Sequence, residues 1–229
     1  RTTAFVVAFG APAETGTSAA VELADGMWDE ARRLGAGIVG GDLVRAPQWV
    51  ISVTALGDLG GRAPVLRSGA RVGDTVAVVG DLGRSAAGYA LWSKGIEEHP
   101  ELRHRHLVPQ PPYGQGVAAA DAGVSAMTDV SDGLLADLGH LATASGVGID
   151  LATGWLDADR AAVGGAAAAT GQDPWNWVLG GGEDHALVAT FPGALPDGWR
   201  PIGQVLDGPV GVRGDGAEWP GNPGWQSFD

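Results

Sequence analysis

The sequence predicts an α+β protein built in two parts, and three observations predict it. Short β-branched and aromatic runs alternate with stretches whose apolar residues recur at helical spacing. The first part reads strand, helix, strand, strand, which suits mixed sheets with helices packed on one face. Around residues 67–73 a glycine-rich linker changes the character of the chain, dividing it into an N-terminal domain at residues 1–66 and a C-terminal domain at residues 67–229.

The elements follow in order. Residues 3–9 form a strand, after which residues 20–34 set Val21, Ala24, Met27, Trp28, Ala31 and Leu34 on one helical face. Gly35 and Gly37 end that helix. Ile38 and Val39 open an extended segment that Gly40-Gly41-Asp42 is expected to interrupt, and residues 49–56 form the next strand. Beyond the linker come a strand at 75–79, helices at 85–94 and 113–122, a strand at 125–129, a helix at 133–145 and a strand at 147–151. Strands at 185–191 and 201–206 follow, and the tail from Val210, rich in Gly, Pro and Trp, reads as a short hairpin ending in a packed loop.

With 45% hydrophobic residues in 229, the chain can bury a core, and its 39 glycines and 14 prolines lie between periodic segments as turns. Fourteen basic against 27 acidic residues give a net charge of −13, which repels a nucleic-acid backbone. Lys94 is the only lysine, so no polybasic face exists for anionic lipid, and no apolar run approaches the roughly 20 residues of a membrane span. The absence of cysteine excludes disulfides, thiolate chemistry and cysteine-bound zinc. The chain opens at Arg1 with neither an apolar leader nor an initiator methionine, so a cytoplasmic location and a longer parent chain are expected.

The densest chemistry lies in Thr128-Asp129-Val130-Ser131-Asp132-Gly133, where a strand ends and a leucine-rich helix begins. A helix N-terminus offers free N–H groups to a phosphate, and paired carboxylates suit Mg²⁺, a hard ion that prefers oxygen. The competing reading is helix capping by Ser131 or Asp132. Gly40-Gly41-Asp42 has the same shape with less specificity, and a plain turn is its alternative. Gly180-Gly181-Gly182-Glu183-Asp184 places two acids after three glycines, before a strand, where an ordinary loop is the alternative. Asp81-Leu82-Gly83-Arg84-Ser85 reads as a helix cap. No GxxxxGK[ST] loop, lysine-bearing kinase signature or GxSxG elbow is present, and the five histidines do not space as a metal site.

In order, these segments resemble the thiamine-monophosphate kinase family of the aminoimidazole ribonucleotide synthetase superfamily. The likeness runs through AGIVGGDLVR (36–45), VISVTALGDL (50–59), LRSGARVGD (66–74), GDLGRSAAGYAL (80–91), MTDVSDGLLADLGHLA (127–142), GGGEDHAL (180–187) and GNPGWQSF (221–228). It implies the two-domain fold of that superfamily, and transfer of the ATP γ-phosphoryl group to thiamine monophosphate with several Mg²⁺ ions. By the same resemblance Asp42, Asp129 and Asp132 are magnesium ligands, and Gly41, Asp42, Arg67 and Ser131 contact ATP. Glu183 and Trp225 contact the substrate. Arg71 is the alternative to Arg67 after one shift of the alignment, and core packing is the alternative for Trp225.

The resemblance also implies an N-terminal segment before Arg1 that carries further metal-binding aspartates, and a homodimer formed through the N-terminal domain. That domain is therefore expected to be incomplete here, and residues 1–229 alone to have little kinase activity. His185 stands where the family commonly has an aromatic residue. No general base is assigned: a phosphate monoester with a second pKa near ~6 is already a nucleophilic dianion at neutral pH. Two other readings remain, another ATP-using enzyme of the superfamily and a non-catalytic relative that binds nucleotide or thiamine phosphate.

Overall fold

In the computed structural model, which describes residues 1–225, the chain divides into a unit spanning Arg1–Pro64 and a second that begins at Val65. Residues Gln226, Ser227 and Phe228 of the terminal motif lie outside the described residues.

The first unit is a three-stranded mixed sheet with β1 (Thr2–Ala11) at its centre. Strand β2 (Gly37–Arg45) pairs parallel to β1 after the crossover helix α1 (Thr17–Arg33), and β3 (Val50–Gly57) pairs antiparallel on the other side. Gly40-Gly41-Asp42 does not interrupt the strand as expected; β2 runs through it. The reason is packing between backbones. Gly41 faces Val7 of β1, and a Cβ there would stand 1.7 Å from the Val7 carbonyl oxygen. Glycine at this position lets the strand continue where any side chain would push β1 away.

The second unit holds a six-stranded sheet in the order β5-β7-β4-β8-β6-β9. These strands are β4 (Thr75–Val79), β5 (Ala126–Val130), β6 (Gly148–Leu151), β7 (Ala186–Phe191), β8 (Arg200–Leu206) and β9 (Gly211–Gly214). Strand alternation assigns β4 to two cores: Val76 and Val78 pack with Leu91, Leu134, Leu138 and Leu179, whereas Ala77 and Val79 pack with Ala119, Phe191 and Trp199. The larger core lies under α2 (Arg84–Ser93), α5 (Leu134–Ser145) and α8 (Pro174–Gly180), and α4 (Gln115–Asp121) covers part of the smaller one. The tail is not a free hairpin. Strand β9 joins the sheet parallel to β6, and the chain then turns back through a bridge between Gly214 and Ala217.

Four helices carry no signal in the hydrophobic periodicity: α3 (Pro100–Leu107), α6 (Asp157–Ala162), α7 (Gly164–Thr170) and α8. Helix α3 buries a single residue, Leu102, and α7 is glycine and alanine almost throughout, so neither has an apolar stripe to read. Tertiary contact supports α3 instead. Its backbone lies against α2 at Gly88, where a Cβ would stand 2.0 Å from the Leu102 carbonyl oxygen.

Strand β7 lies between β5 and β4 and is antiparallel to both, so β4 and β5 point the same way. The turn into α2, the turn into α5 and the segment entering β7 therefore meet at one end of the sheet.

Gly88→Ala tests the α2–α3 contact, because helix propensity alone favours alanine by up to about 1 kcal/mol. The expected result is the opposite sign, a loss of about 2 kcal/mol from overpacking, read from the urea midpoint. A more stable variant would mean that α3 does not press on α2.

Candidate functional site

The loop between β5 and α5 is ordered from below by Asp137. Its Oδ2 accepts N–H bonds from Ser131, Asp132 and Gly133 at 2.9, 3.0 and 3.2 Å, and the residue is 1% exposed. Burial pushes the Asp137 carboxyl up, while these three N–H groups pull it down. This arrangement answers the capping alternative. No side chain caps the start of α5, where Gly133 occupies the N-cap position, so Ser131 and Asp132 are not held in that role.

The segment 181–185 lies beside that loop. Glu183 N–H donates to the Ser131 carbonyl at 2.8 Å and His185 N–H to that of Val130 at 3.0 Å. Glu183 and His185 both have positive φ, 66° and 54°, in the region that disfavours side chains. Between them Asp184 accepts the N–H groups of Gly83 and Ser85 at 2.5 and 3.0 Å. Asp81 was expected to cap α2, and this is corrected: the cap comes from Asp184, about a hundred residues away in sequence. Asp81 instead pairs with Arg84 at 3.4 Å and Arg105 at 3.3 Å.

These pieces enclose a cleft of about 460 Å³. One wall is Ser85, Ala86 and Tyr89 of α2 with His106 of α3; Ser131 and Asp132 form another, and Gly182, Glu183 and Trp225 complete it. Trp225 N–H donates to the Asp132 carbonyl at 2.9 Å, yet the residue is 70% exposed, which excludes the core-packing alternative. The Ser85 hydroxyl lies 3.1 Å from His106 Nδ1, and the His106 and Tyr89 rings are 5.2 Å apart. The cleft thus combines flat aromatic faces with two carboxylates, a lining suited to a flat cationic ring.

Of the residues singled out in the sequence, Ser131, Asp132, Glu183 and Trp225 come together here. Asp129 is exposed at the end of β5. Arg67 Nε donates to Thr128 Oγ1 at 3.2 Å, which places the guanidinium beside the same strand; Arg71 uses its backbone N–H on Asp74. Gly41 and Asp42 belong to β2 of the first unit, where Asp42 Oδ1 accepts the Leu43 N–H at 2.9 Å. Among the described residues no three His, Asp or Glu side chains gather as a metal-binding group. The available donors near the cleft are oxygens on one or two carboxylates, which fits an ion such as Mg²⁺ that keeps water and phosphate oxygens for its other positions. His185 lies 3.7 Å from the Glu183 carboxylate. Sequence reading missed Ser85, Tyr89 and His106. The available signal was an exposed Tyr89 within the 80–91 segment, whereas His106 reaches the cleft through a helix without an apolar stripe.

A family profile described as AIR synthase related protein, C-terminal domain, matches residues 71–178. The chain is 69% identical over 228 residues to thiamine-monophosphate kinase of Mycobacterium tuberculosis (strain ATCC 25618 / H37Rv), covering 100% of this chain and 68% of that relative. It superposes on thiamine monophosphate kinase from Aquifex aeolicus with a TM-score of 0.85 at 30% identity, over 95% of this chain and 75% of that one. The structure of AaThiL complexed with AMPPCP and TMP matches with a TM-score of 0.84 at 30% identity, over 99% of this chain and 74% of that one.

Burial pushes the Asp184 carboxyl up from 3.8 to about 7, helped by Asp81 and Asp159 and opposed by the N–H groups of Ser85 and Gly83. A raised carboxyl favours the folded chain fully below its unfolded pKa, and that contribution is lost as pH rises through the folded value. The melting temperature of the parent relative to Asp184→Asn is therefore expected to fall between pH 5 and pH 8. A difference that stays flat with pH would show that Asp184 titrates normally.

Proposed function

The chain belongs to the thiamine-monophosphate kinase family, and we propose that its cleft binds thiamine monophosphate for phosphorylation by ATP, giving thiamine diphosphate and ADP. One observation carries this reading. Ser131 and Asp132, Glu183, and Trp225 come from three separate segments of the sequence, and the fold draws all four into one cleft. The relative AaThiL is complexed with AMPPCP and TMP.

In this reading the thiamine ring stacks on exposed Trp225, and the Glu183 carboxylate accepts hydrogen bonds from the aminopyrimidine. The substrate phosphate is itself the nucleophile, so the protein positions two polyanions and holds no base. Arg67 supplies positive charge to phosphate oxygens. Magnesium ions, when bound, offset the repulsion between the phosphates; within the second unit we assign Asp129 and Asp132 to hold metal, and within the first unit Asp42. As nucleotide contacts we assign Gly41 and Asp42 within the first unit, and Arg67 and Ser131 within the second.

We further assign a cytoplasmic location, supported by the absence of cysteine, and no membrane or nucleic-acid partner, supported by the charge of −13. No described helix is long and apolar enough to cross a membrane. A homodimer through the first unit is supported by the exposed apolar side chains of its sheet, among them Val39, Leu43, Ile51 and Val53. We also propose functional domains at residues 1–66 and 67–229, a division two residues beyond the boundary between the two compact units at Pro64 and Val65.

Asp129→Asn and Asp132→Asn, in the chain extended to the length of its relatives, are expected to lower kcat by at least about a hundredfold, since each removes charge from Mg²⁺. Their melting temperatures without metal should match the parent, because neither side chain caps α5. Activity and stability lost in proportion would refute the metal assignment.

Trp225→Ala should raise KM for thiamine monophosphate several-fold, as removal of a stacking contact of about 1 kcal/mol requires, with KM for ATP unchanged. Binding without any product from the parent enzyme would instead favour a non-catalytic relative.

A further inference from the structure

Asp184 is a costly way to start a helix. It is half-buried with Asp81 and Asp159 as like-charged neighbours, and among the described residues its two carboxylate oxygens take the N–H groups of Gly83 and Ser85. A serine or asparagine at the N-cap would satisfy the same donors without burying charge. Asp81, the local candidate, is engaged by Arg84 and Arg105.

What Asp184 adds is a connection between the two sides of the cleft. Glu183, next to it, lines the cleft, and so do Ser85 and Tyr89 of the helix that Asp184 fastens. The positive φ of Glu183 and His185 on either side is a strained conformation, which persists only where surrounding contacts hold it. Ser85 carries the constraint further. Its N–H is fixed by Asp184 at 3.0 Å while its hydroxyl meets His106 Nδ1 at 3.1 Å, and the His106 ring stands against Tyr89.

We infer that Asp184 is a positioning residue of the substrate cleft: its carboxylate ties the first turn of α2 to the Glu183 loop and sets the spacing between the aromatic wall and the Glu183 carboxylate. It touches no substrate and acts through Ser85, Tyr89, His106 and Glu183. The tie requires the ionised form, which accepts both N–H groups. The groups that face it are Asp81, Arg84 and Ser85 at the start of α2, Asp159 of α6, His106 and Arg105 of α3 beyond them, and Glu183 and His185 on its own loop. Since the carboxyl ionises near pH 7, substrate affinity follows pH through that range.

This inference rests on the kinase reading for the identity of the ligand, and calorimetry with thiamine monophosphate and ATP separates the two. For the chain extended to the length of its relatives, Asp184→Asn at pH 8 should raise Kd for thiamine monophosphate about tenfold, as loss of a charge-assisted hydrogen bond implies, and leave Kd for ATP within about twofold. The melting temperature at pH 8 should hold, because asparagine keeps the shape and removes the charge set beside Asp81 and Asp159. The parent should lose thiamine monophosphate affinity as pH falls through about 7 and approach the variant, whose own dependence lacks the Asp184 contribution and retains that of the substrate phosphate. An unchanged Kd, or a parent and variant that keep a constant ratio across pH, overturns the inference. If Asp184→Asn does not fold, the same pH dependence is measured in the parent and in a His185→Gln variant, where it must persist; its loss there assigns the effect to His185 and overturns the inference. Binding without turnover refutes the kinase reading and leaves the Kd comparison decisive, whereas a parent that binds no thiamine monophosphate refutes both.

Discussion

The antiparallel course of β7 between β4 and β5 is the constraint on which the candidate site depends. It makes β4 and β5 parallel to each other although they are not paired, so both deliver their chain to the same end of the sheet. The entry to β7 falls at that end as well. Three connections far apart in sequence are thereby packed side by side, and the backbone bonds from Glu183 to Ser131 and from His185 to Val130 continue the β5–β7 pairing into the loops. The site is an extension of the sheet ladder beyond its last regular strand pair.

Two carboxylates, Asp137 buried and Asp184 half-buried, then convert those loops into fixed geometry. Asp137 gathers three consecutive N–H groups under the turn before α5, and Asp184 gathers two at the start of α2. Removing a carboxylate from water is unfavourable, and hydrogen bonds to charged groups, at about 1.5–3 kcal/mol each, offset that cost. Asp137 has more donors, and its carboxyl is raised; Asp184 has fewer donors and two like-charged neighbours, and rises to about 7. The loops that carry Ser131, Asp132 and Glu183 are therefore held by carboxylates that lie outside the cleft lining, which leaves the side chains lining the cleft unencumbered by capping.

The elements legible in the sequence are those whose residues contact a core through a regular stripe. Strand β4 and helix α5 are of this kind: Val76 and Val78 alternate with Ala77 and Val79 between the two cores, and Leu134, Leu138 and Leu141 repeat at helical spacing. The elements that escaped are held by something periodicity does not record. Helix α3 rests on close backbone contact at Gly88, and β2 passes through two glycines because β1 lies against Gly41.

By itself the sequence determined the alternation of strands and helices, the residue types capable of phosphate and metal chemistry, and the motifs whose order marks the family. These are local properties, written in spacing and composition. The tertiary structure decided which of those motifs meet. It set Trp225 facing the cleft rather than the core, brought in Ser85, Tyr89 and His106, and transferred the capping of α2 from Asp81 to Asp184. The physical reason is that capping, stacking and desolvation act through distances of a few ångströms, and residues 101 positions apart, such as Gly83 and Asp184, reach that distance only when the sheet has placed their loops together.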